Sequence, residues 1–149
     1  MDKTANEQRK VVSLDDVLGR NKEELTKLRE GSYFIRKLNG DLLYAEIEPR
    51  EYRKAKKACI KFGPKGELQE MDDDKLKALL IVAAVGKDQR SPFRFDDKRL
   101  LAHLEINTAQ EAVEALLSIG EINGMAVEIQ TLSGVGETAE EEAAEDIKN

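Results

Sequence analysis

The stretch Ala78-Leu79-Leu80-Ile81-Val82-Ala83-Ala84-Val85 is the only run of eight apolar residues in the chain, and it decides the fold. Its length fits either a buried strand or a buried helix. Three acids, Asp72 to Asp74, stand just before it, where a helix N-terminus favours negative charge. Apolar residues recur at helical spacing at Leu76, Leu79, Leu80 and Ala83. Because Gly86 follows as a helix-ending residue, we predict a central helix over Asp72-Val85.

A helix that is apolar on every side must be covered by several neighbouring elements. This one is too short to span a membrane, which takes roughly 20 apolar residues. We therefore expect it at the centre of a folded domain. The predicted fold class is mainly α: a small helical domain around this buried helix, with one N-terminal β-hairpin and a C-terminal αα-hairpin.

The N-terminal β-hairpin is predicted over Tyr33-Ile47 from the dipeptide Asn39-Gly40. Asn-Gly is the strongest two-residue hairpin signal, because a type I′ turn needs positive φ at both positions. Counting outward from such a turn, Ile35 faces Tyr44. Neither face alternates cleanly between apolar and polar residues, so an irregular turn between two helices is the alternative.

Two short helices are predicted before this hairpin. Ser13 followed three residues later by Asp16 resembles a capping box, which marks a helix start. The apolar stripe of this first helix consists of Leu14, Val17 and Leu18. Asn21 begins a second helix that we extend to Arg29, with Gly31 ending it.

The C-terminal αα-hairpin is predicted from two apolar stripes that a break at Gly120-Glu121 separates. The first stripe follows a cap at Asn107 or Thr108 and comprises Ala109, Ala112, Val113, Leu116 and Leu117. The second comprises Ile122, Met125, Ala126, Ile129 and Leu132. Gly134 fits the position of a glycine that ends a helix. Two helices joined by so short a turn form an αα-hairpin.

A basic helix is predicted from Pro49, which fits a first helical turn, to Phe62. Its bases share the side opposite an apolar stripe: Arg50, Arg53, Lys54, Lys57 and Lys61. A solvated helix face is the default interpretation of such a run. The alternative is a small nucleic-acid-associated regulatory protein that uses Arg50-Lys61, but no DNA-binding or RNA-binding motif accompanies the run.

The net charge of −6 is placed unevenly along the chain. From Gly134 to the end there are six acids and one base, so the rest of the chain has a net charge of only −1. Such an end cannot bury enough apolar surface to order itself. We predict a flexible N-terminus over 1–12, a single domain over 13–134 and a disordered acidic tail over 135–149.

Residues suited to catalysis or metal binding are few. Cys59 and His103 are the only cysteine and histidine, and no zinc-binding spacing, nucleophile elbow or phosphate-binding loop is present. A lone cysteine favours a reducing compartment, and the polar start of the chain lacks a signal-peptide core. We expect no enzyme activity, cofactor or bound metal, no membrane partner, and a cytoplasmic location. An enzyme that uses His103 with converging carboxylates is the third hypothesis.

The order of several short motifs resembles that of a known family. The central helix is followed by a loop with Phe93 and Phe95, and then by Asp96-Asp97-Lys98-Arg99-Leu100-Leu101. A helix ending in Leu116-Leu117-Ser118-Ile119-Gly120-Glu121 comes next, and Ile129-Gln130-Thr131-Leu132-Ser133-Gly134 closes the series. This order resembles the XkdN-like tail assembly chaperones of long-tailed phages and prophages. Ile119 and Val135 depart from it, because many members have proline and an aromatic residue there.

The resemblance implies a non-enzymatic role in the cytoplasm of a bacterial host. Such chaperones are expected to bind the helical tape measure protein and to recruit tail tube subunits during tail morphogenesis. They are absent from the finished virion. The resemblance also implies a third partner, a longer form of the same chain made by ribosomal frameshifting.

Six apolar residues are predicted to bind these partners: Leu14, Val17, Leu18, Ile119, Ile122 and Met125. The first three form the N-terminal stripe, and the others belong to the turn and second helix of the αα-hairpin. An amphipathic client needs its apolar stripe covered until its final partner arrives, and grooves between helices suit that task. For Leu116 and Ile129, on the same hairpin, a place in the core is the expectation.

Overall fold

The computed structural model describes residues 9–87 and 93–135 of the 149-residue chain. About half of these residues are helical, and the prediction of a mainly helical fold with a small β-hairpin is confirmed. Residues 1–8 and 136–149, which contain most of both predicted tails, lie outside the described ranges. In chain order the described elements are α1 (Leu14–Leu18), α2 (Lys22–Thr26), β1 (Glu30–Ile35), β2 (Gly40–Ala45), α3 (Pro49–Ala58), β3 (Ile60–Phe62), β4 (Leu68–Met71), α4 (Asp73–Ala84), α5 (Lys98–Leu104), α6 (Ala109–Leu116) and α7 (Ile119–Leu132).

Helix α4 lies within the range predicted for the central helix. The Asp72 side chain accepts a 3.0 Å hydrogen bond from the backbone N–H of Lys75, which satisfies one free donor of the first turn. The helix stops at Ala84, two residues before the expected glycine. The reason is that Val85 adopts an extended conformation and forms a β-bridge with Tyr44.

The core is built around α4. Its most buried residues are Leu76, Ala78, Leu80, Ile81 and Ala84. Leu79, Val82 and Ala83 are half-buried and pack against the edge of the core. Helices α3, α6 and α7 and strand β2 all contact α4, so it is covered on several sides. Phe95, which follows α4 in the chain, is fully buried in the same core.

The hairpin of β1 and β2 has a different register from the predicted one. Ile35 pairs with Gly40 and Gly31 pairs with Tyr44, so four residues, 36–39, form the loop. Of the two turn residues, Asn39 has a positive φ, at 49°, but Gly40 does not, which excludes a type I′ turn at Asn39-Gly40. The prediction of Ile35 facing Tyr44 is therefore wrong. The observed register puts Tyr33, Ile35, Leu42 and Tyr44 on one face, where the last three are buried.

Several polar contacts fasten this hairpin to α7. The Tyr44 hydroxyl donates to Glu128 Oε2 at 2.8 Å, and burial together with this bond raises the pKa of the tyrosine. At one end of the helix, the Arg36 N–H donates to Glu121 Oε2 at 2.9 Å. At the other end, the Ile47 N–H donates to Ser133 Oγ at 3.0 Å. The hairpin is thus held along the whole length of the helix.

The segment before the hairpin and the segment after α3 both contain less helix than predicted. Helix α2 ends at Thr26 rather than Arg29, because the chain enters strand β1 at Glu30. Helix α3 ends at Ala58, and the predicted last turn is instead strand β3. Strands β3 and β4 form a second hairpin across the turn 63–66, in addition to the one hairpin that the sequence predicts.

The two C-terminal helices break earlier than predicted. Ser118, rather than Gly120, marks the start of α7, and its side chain forms a reciprocal capping box with Glu121. Both α6 and α7 pack mainly against α4 rather than against each other. Helix α7 ends at Leu132, and Gly134 follows it in the expected left-handed conformation. The N–H of Val135 donates to Gln130 O and that of Gly134 to Thr131 O. These two bonds form a Schellman motif.

A substitution at Gly31 tests the packing of the first hairpin. A Cβ atom there would lie 2.6 Å from the Tyr44 Cζ atom, and Tyr44 cannot move freely because it is buried and bonded to Glu128. We expect Gly31→Ala to lower the free energy of unfolding by about 1–3 kcal/mol. Chemical denaturation followed by circular dichroism measures this change.

The matched control is Gly40→Ala in the partner strand, because a Cβ at Gly40 would meet only the Leu38 carbonyl oxygen, at 3.8 Å. This change should alter the free energy of unfolding by no more than about 0.5 kcal/mol. Equal effects of the two substitutions would contradict the register described above.

The Glu121 carboxylate gives the fold a pH dependence. Its bonds from the Ser118 N–H at 2.8 Å and the Arg36 N–H at 2.9 Å hold its pKa below the usual range. This stabilisation is present above the ordinary glutamate pKa and is lost as the pH falls through the lowered folded-state value. We expect Glu121→Gln to lose less stability than the parent between neutral and acid pH. Urea denaturation across this range measures the difference, and parallel pH profiles for the two proteins would contradict the expectation.

Candidate partner-binding surfaces

The first candidate surface is formed by apolar residues in and just before α1. We call Val11, Val12, Leu14, Val17 and Leu18 the N-terminal patch. The exposed fractions of Val11, Leu14 and Leu18 are 93%, 71% and 70%, and that of Val17 is 42%. Helix α1 has no buried residue, so nothing in the described part of the chain covers this patch. Leu14, Val17 and Leu18 therefore lie where a partner can reach them.

Local polar contacts hold this short helix in shape. The Ser13 side chain accepts from the Asp16 N–H, and the Asp16 carboxylate accepts from the Ser13 N–H at 2.9 Å. Asp16 also bonds to Lys10 at 2.8 Å, which is the main reason that its pKa is lowered. The predicted capping box is therefore confirmed. The sequence analysis missed Val11 and Val12, although their place beside the stripe was a visible signal.

The second candidate surface surrounds the start of α7. Ile119, its first residue, is 81% exposed, whereas Ile122 is half-buried against the core. Val127, two turns further along the helix and outside this surface, is also exposed, at 57%. Of the binding residues predicted on α7, only Ile119 and part of Ile122 are therefore accessible to a partner.

Met125 is not part of this surface. Its side chain is fully buried, in the core cluster that includes residues of α4. The prediction of Met125 as a binding residue is wrong, because its position on the helix faces the central helix rather than solvent. Leu116 and Ile129 are buried as expected.

A groove lies where α2, the start of α3 and the end of α7 meet. We call it the α2–α3 groove, and its volume is about 840 Å³. Its walls are largely apolar and include Leu25, Leu28, Ile47, Tyr52 and Val135. Two bases, Lys27 and Lys56, also line it, and the Lys56 ammonium lies 5.9 Å from the centre of the Tyr52 ring. The sequence analysis missed this groove because its walls come from segments far apart in the chain.

The exposed side of α3 carries a cluster of bases beside this groove. We call Arg50, Arg53, Lys54 and Lys57 the basic face; all four are exposed. None of them forms an ion pair or side-chain hydrogen bond with any residue that the structure describes. The apolar side of α3, at Ala55, is buried against the core. The basic face is thus a positively charged surface that no described acidic side chain neutralises through an ion pair.

The residues considered for chemistry lie apart from one another. Cys59 is buried, and burial raises the pKa of its thiol, so it is held as the unreactive neutral form. His103 is exposed on α5 and lines a shallow pocket with Phe93 and Arg99. Within residues 9–87 and 93–135, no group of three or more His, Cys, Asp or Glu side chains is placed to hold a metal ion. Nor does any helix there have the length and apolar character needed to cross a membrane.

Comparison with solved structures identifies a similar fold. The crystal structure of the protein yqbn, a structural genomics target, matches with a TM-score of 0.56 at 14% sequence identity. The match covers 85% of this chain and 98% of that one. At this identity the likeness concerns the fold alone. No curated protein sequence matches the chain.

Comparison with family models identifies the chain more directly. The model that matches is described as the phage XkdN-like tail assembly chaperone protein, and it covers residues 14–148. That range includes α1, with three of the predicted binding residues, and every described element after it. The chain therefore belongs to the phage XkdN-like tail assembly chaperone family.

Proposed function

We propose that this chaperone binds the phage tape measure protein in the bacterial cytoplasm and recruits tail tube subunits while the tail is assembled. It leaves as the tube grows and acts by binding alone, without catalysis. Membership of the family supports the general role. The observation that carries the proposal is the exposure of the N-terminal patch.

The N-terminal patch suits a transient apolar partner. Four leucine or valine side chains that are at least 70% exposed lie within the eight residues from Val11 to Leu18. Exposed apolar clusters of this kind mark sites of protein interaction. Burying one such side chain contributes about 1.5–3 kcal/mol, so a few of them give a useful but reversible affinity.

A long helical client presents an apolar stripe that water would otherwise expose. An amphipathic helix binds through residues spaced one turn apart, and the patch offers Leu14, Val17 and Leu18 at that spacing. Ile119 and Ile122 form a separate contact on α7 for a second partner, the tail tube protein. The longer frameshifted form of the chain is a third candidate partner.

A second function is favoured by the basic face. Four exposed bases without described counter-ions would attract the phosphate backbone of a nucleic acid. The helix is only ten residues long, and the net charge of the whole chain is −6, so such binding would be weak. It ranks below the binding of protein clients.

Substitutions in the N-terminal patch test the proposed client contact. We expect Leu14→Ser with Leu18→Ser to weaken binding of coexpressed tape measure protein by about a hundredfold, since each lost apolar contact is worth about 1.5 kcal/mol or more and about 1.4 kcal/mol corresponds to tenfold in Kd. Ile119→Ser should weaken retention of the tube protein instead. Affinity pull-down of the full chain from cells that express all three proteins measures both effects.

Val127→Ser on α7 is the matched control, because it removes an exposed valine outside both surfaces. All these variants should keep the thermal stability of the parent, since none of the altered side chains is buried. Retention of neither client by the unaltered chain would contradict the proposed function. If the patch variants still retained the client as well as the parent does, the proposed contact would be wrong, but the proposed function would stand.

A gel-shift titration tests the second function. If the basic face binds nucleic acid, Lys54→Glu or Lys57→Glu should weaken the shift at low salt, and raising the salt should abolish it. Lys65→Glu, in the β3–β4 turn, gives the same charge change outside α3. Absence of any shift at low salt would eliminate this function.

A further inference from the structure

Two bases of the basic face, Arg53 and Lys57, are sequence neighbours of the α3 residues that line the α2–α3 groove. Tyr52 and Lys56 of α3 line the groove, and Arg53 and Lys57 follow each of them by one position around the helix. One residue corresponds to about 100° of rotation, from the 3.6-residue helical repeat. A segment that left the apolar groove along α3 would therefore meet the bases directly.

We propose that the acidic C-terminal segment of this same chain, residues 136–149, docks into the α2–α3 groove and along the basic face. This contact concerns the chain alone, and it stands independently of the proposed clients.

The position where the described chain ends favours this occupant. Val135 is itself one of the residues that line the groove. The 14 residues that follow can reach at most about 46 Å when fully extended. Helix α3 has ten residues and is about 15 Å long. The segment thus follows directly on a residue that lines the groove, and it is long enough to follow the whole of α3.

The charges on the two partners are complementary. The segment holds six acids and one base: Glu137, Glu140, Glu141, Glu142, Glu145, Asp146 and Lys148. The basic face offers four exposed cations without a described counter-ion, and Lys27 and Lys56 add two at the groove. The groove wall holds two acids, Glu46 and Glu48, so these six bases outnumber them. Glu46 accepts from the Arg29 N–H at 2.9 Å, and Glu48 lies 3.7 Å from Lys87.

The covalent link strengthens a contact that would be weak between separate molecules. Single exposed ion pairs contribute little. A short flexible connection, however, raises the local concentration of the attached segment to the millimolar range. The docked segment also places carboxylates where a nucleic acid would place phosphates, so it competes with polyanions for the basic face.

Nuclear magnetic resonance on the full-length protein tests this contact. The test variant replaces the five glutamates of the segment by glutamine and Asp146 by asparagine, which removes its acidic charge and keeps its length. We expect amide shifts of Tyr52 to Lys57 and of Leu25 to Leu28 to differ between parent and variant. Amides of α6 should not differ. In 1 M salt, where the screening length is about 3 Å, the difference should largely disappear.

Charge exchange separates docking from a general effect of charge. Arg53→Glu with Lys57→Glu should give the parent protein the same loss of contact, and adding Glu140→Lys, Glu141→Lys and Glu142→Lys should restore it. Lys65→Glu, which reverses a single charge outside α3, should have no effect. Shifts that grow with protein concentration would mean that the segment of a second copy is the occupant, and this would overturn docking within one chain. Identical spectra of parent and variant at low salt would overturn the contact altogether.

Discussion

The lack of any polar face on α4 is the constraint on which the rest of the structure depends. Its apolar sides must all be removed from water, and no single neighbour can cover them. Helices α3, α6 and α7 and strand β2 therefore pack around it. This requirement also explains why α6 and α7 contact α4 more than each other. Helix α1 has no buried residue and adds nothing to this core.

The motifs that resemble the family have a structural explanation. Glu121 caps α7 and accepts a hydrogen bond from the hairpin at Arg36, and Ser133 accepts one from Ile47 at the far end of the same helix. Between them, the Tyr44 hydroxyl bonds to Glu128. The Gly-Glu and Leu-Ser-Gly motifs thus hold a β-hairpin against a helix.

Features set by neighbouring residues could be predicted from the sequence, whereas those set by distant contacts could not. The caps at Ser13, Asp72 and Thr108 and the stop at Gly134 follow from local hydrogen bonding. The register of the first hairpin is fixed by burial of Tyr44 against α7, which local turn chemistry does not reveal. Distant contacts also explain why the burial of Met125 and the presence of the α2–α3 groove could not be predicted from the sequence. Periodicity places an apolar residue on one face of a helix, but it does not show which other element packs against that face.

The Schellman motif after α7 closes the helix without help from the sequence that follows it. Both bonds that close the helix are made by backbone N–H groups, of Gly134 and Val135. Neither bond depends on a side chain further along, and the glycine supplies the left-handed φ of 73° that turns the chain away from the helix axis. The fold of the described domain therefore does not require any particular sequence after Val135. A different extension at this point should leave the domain folded in the same way.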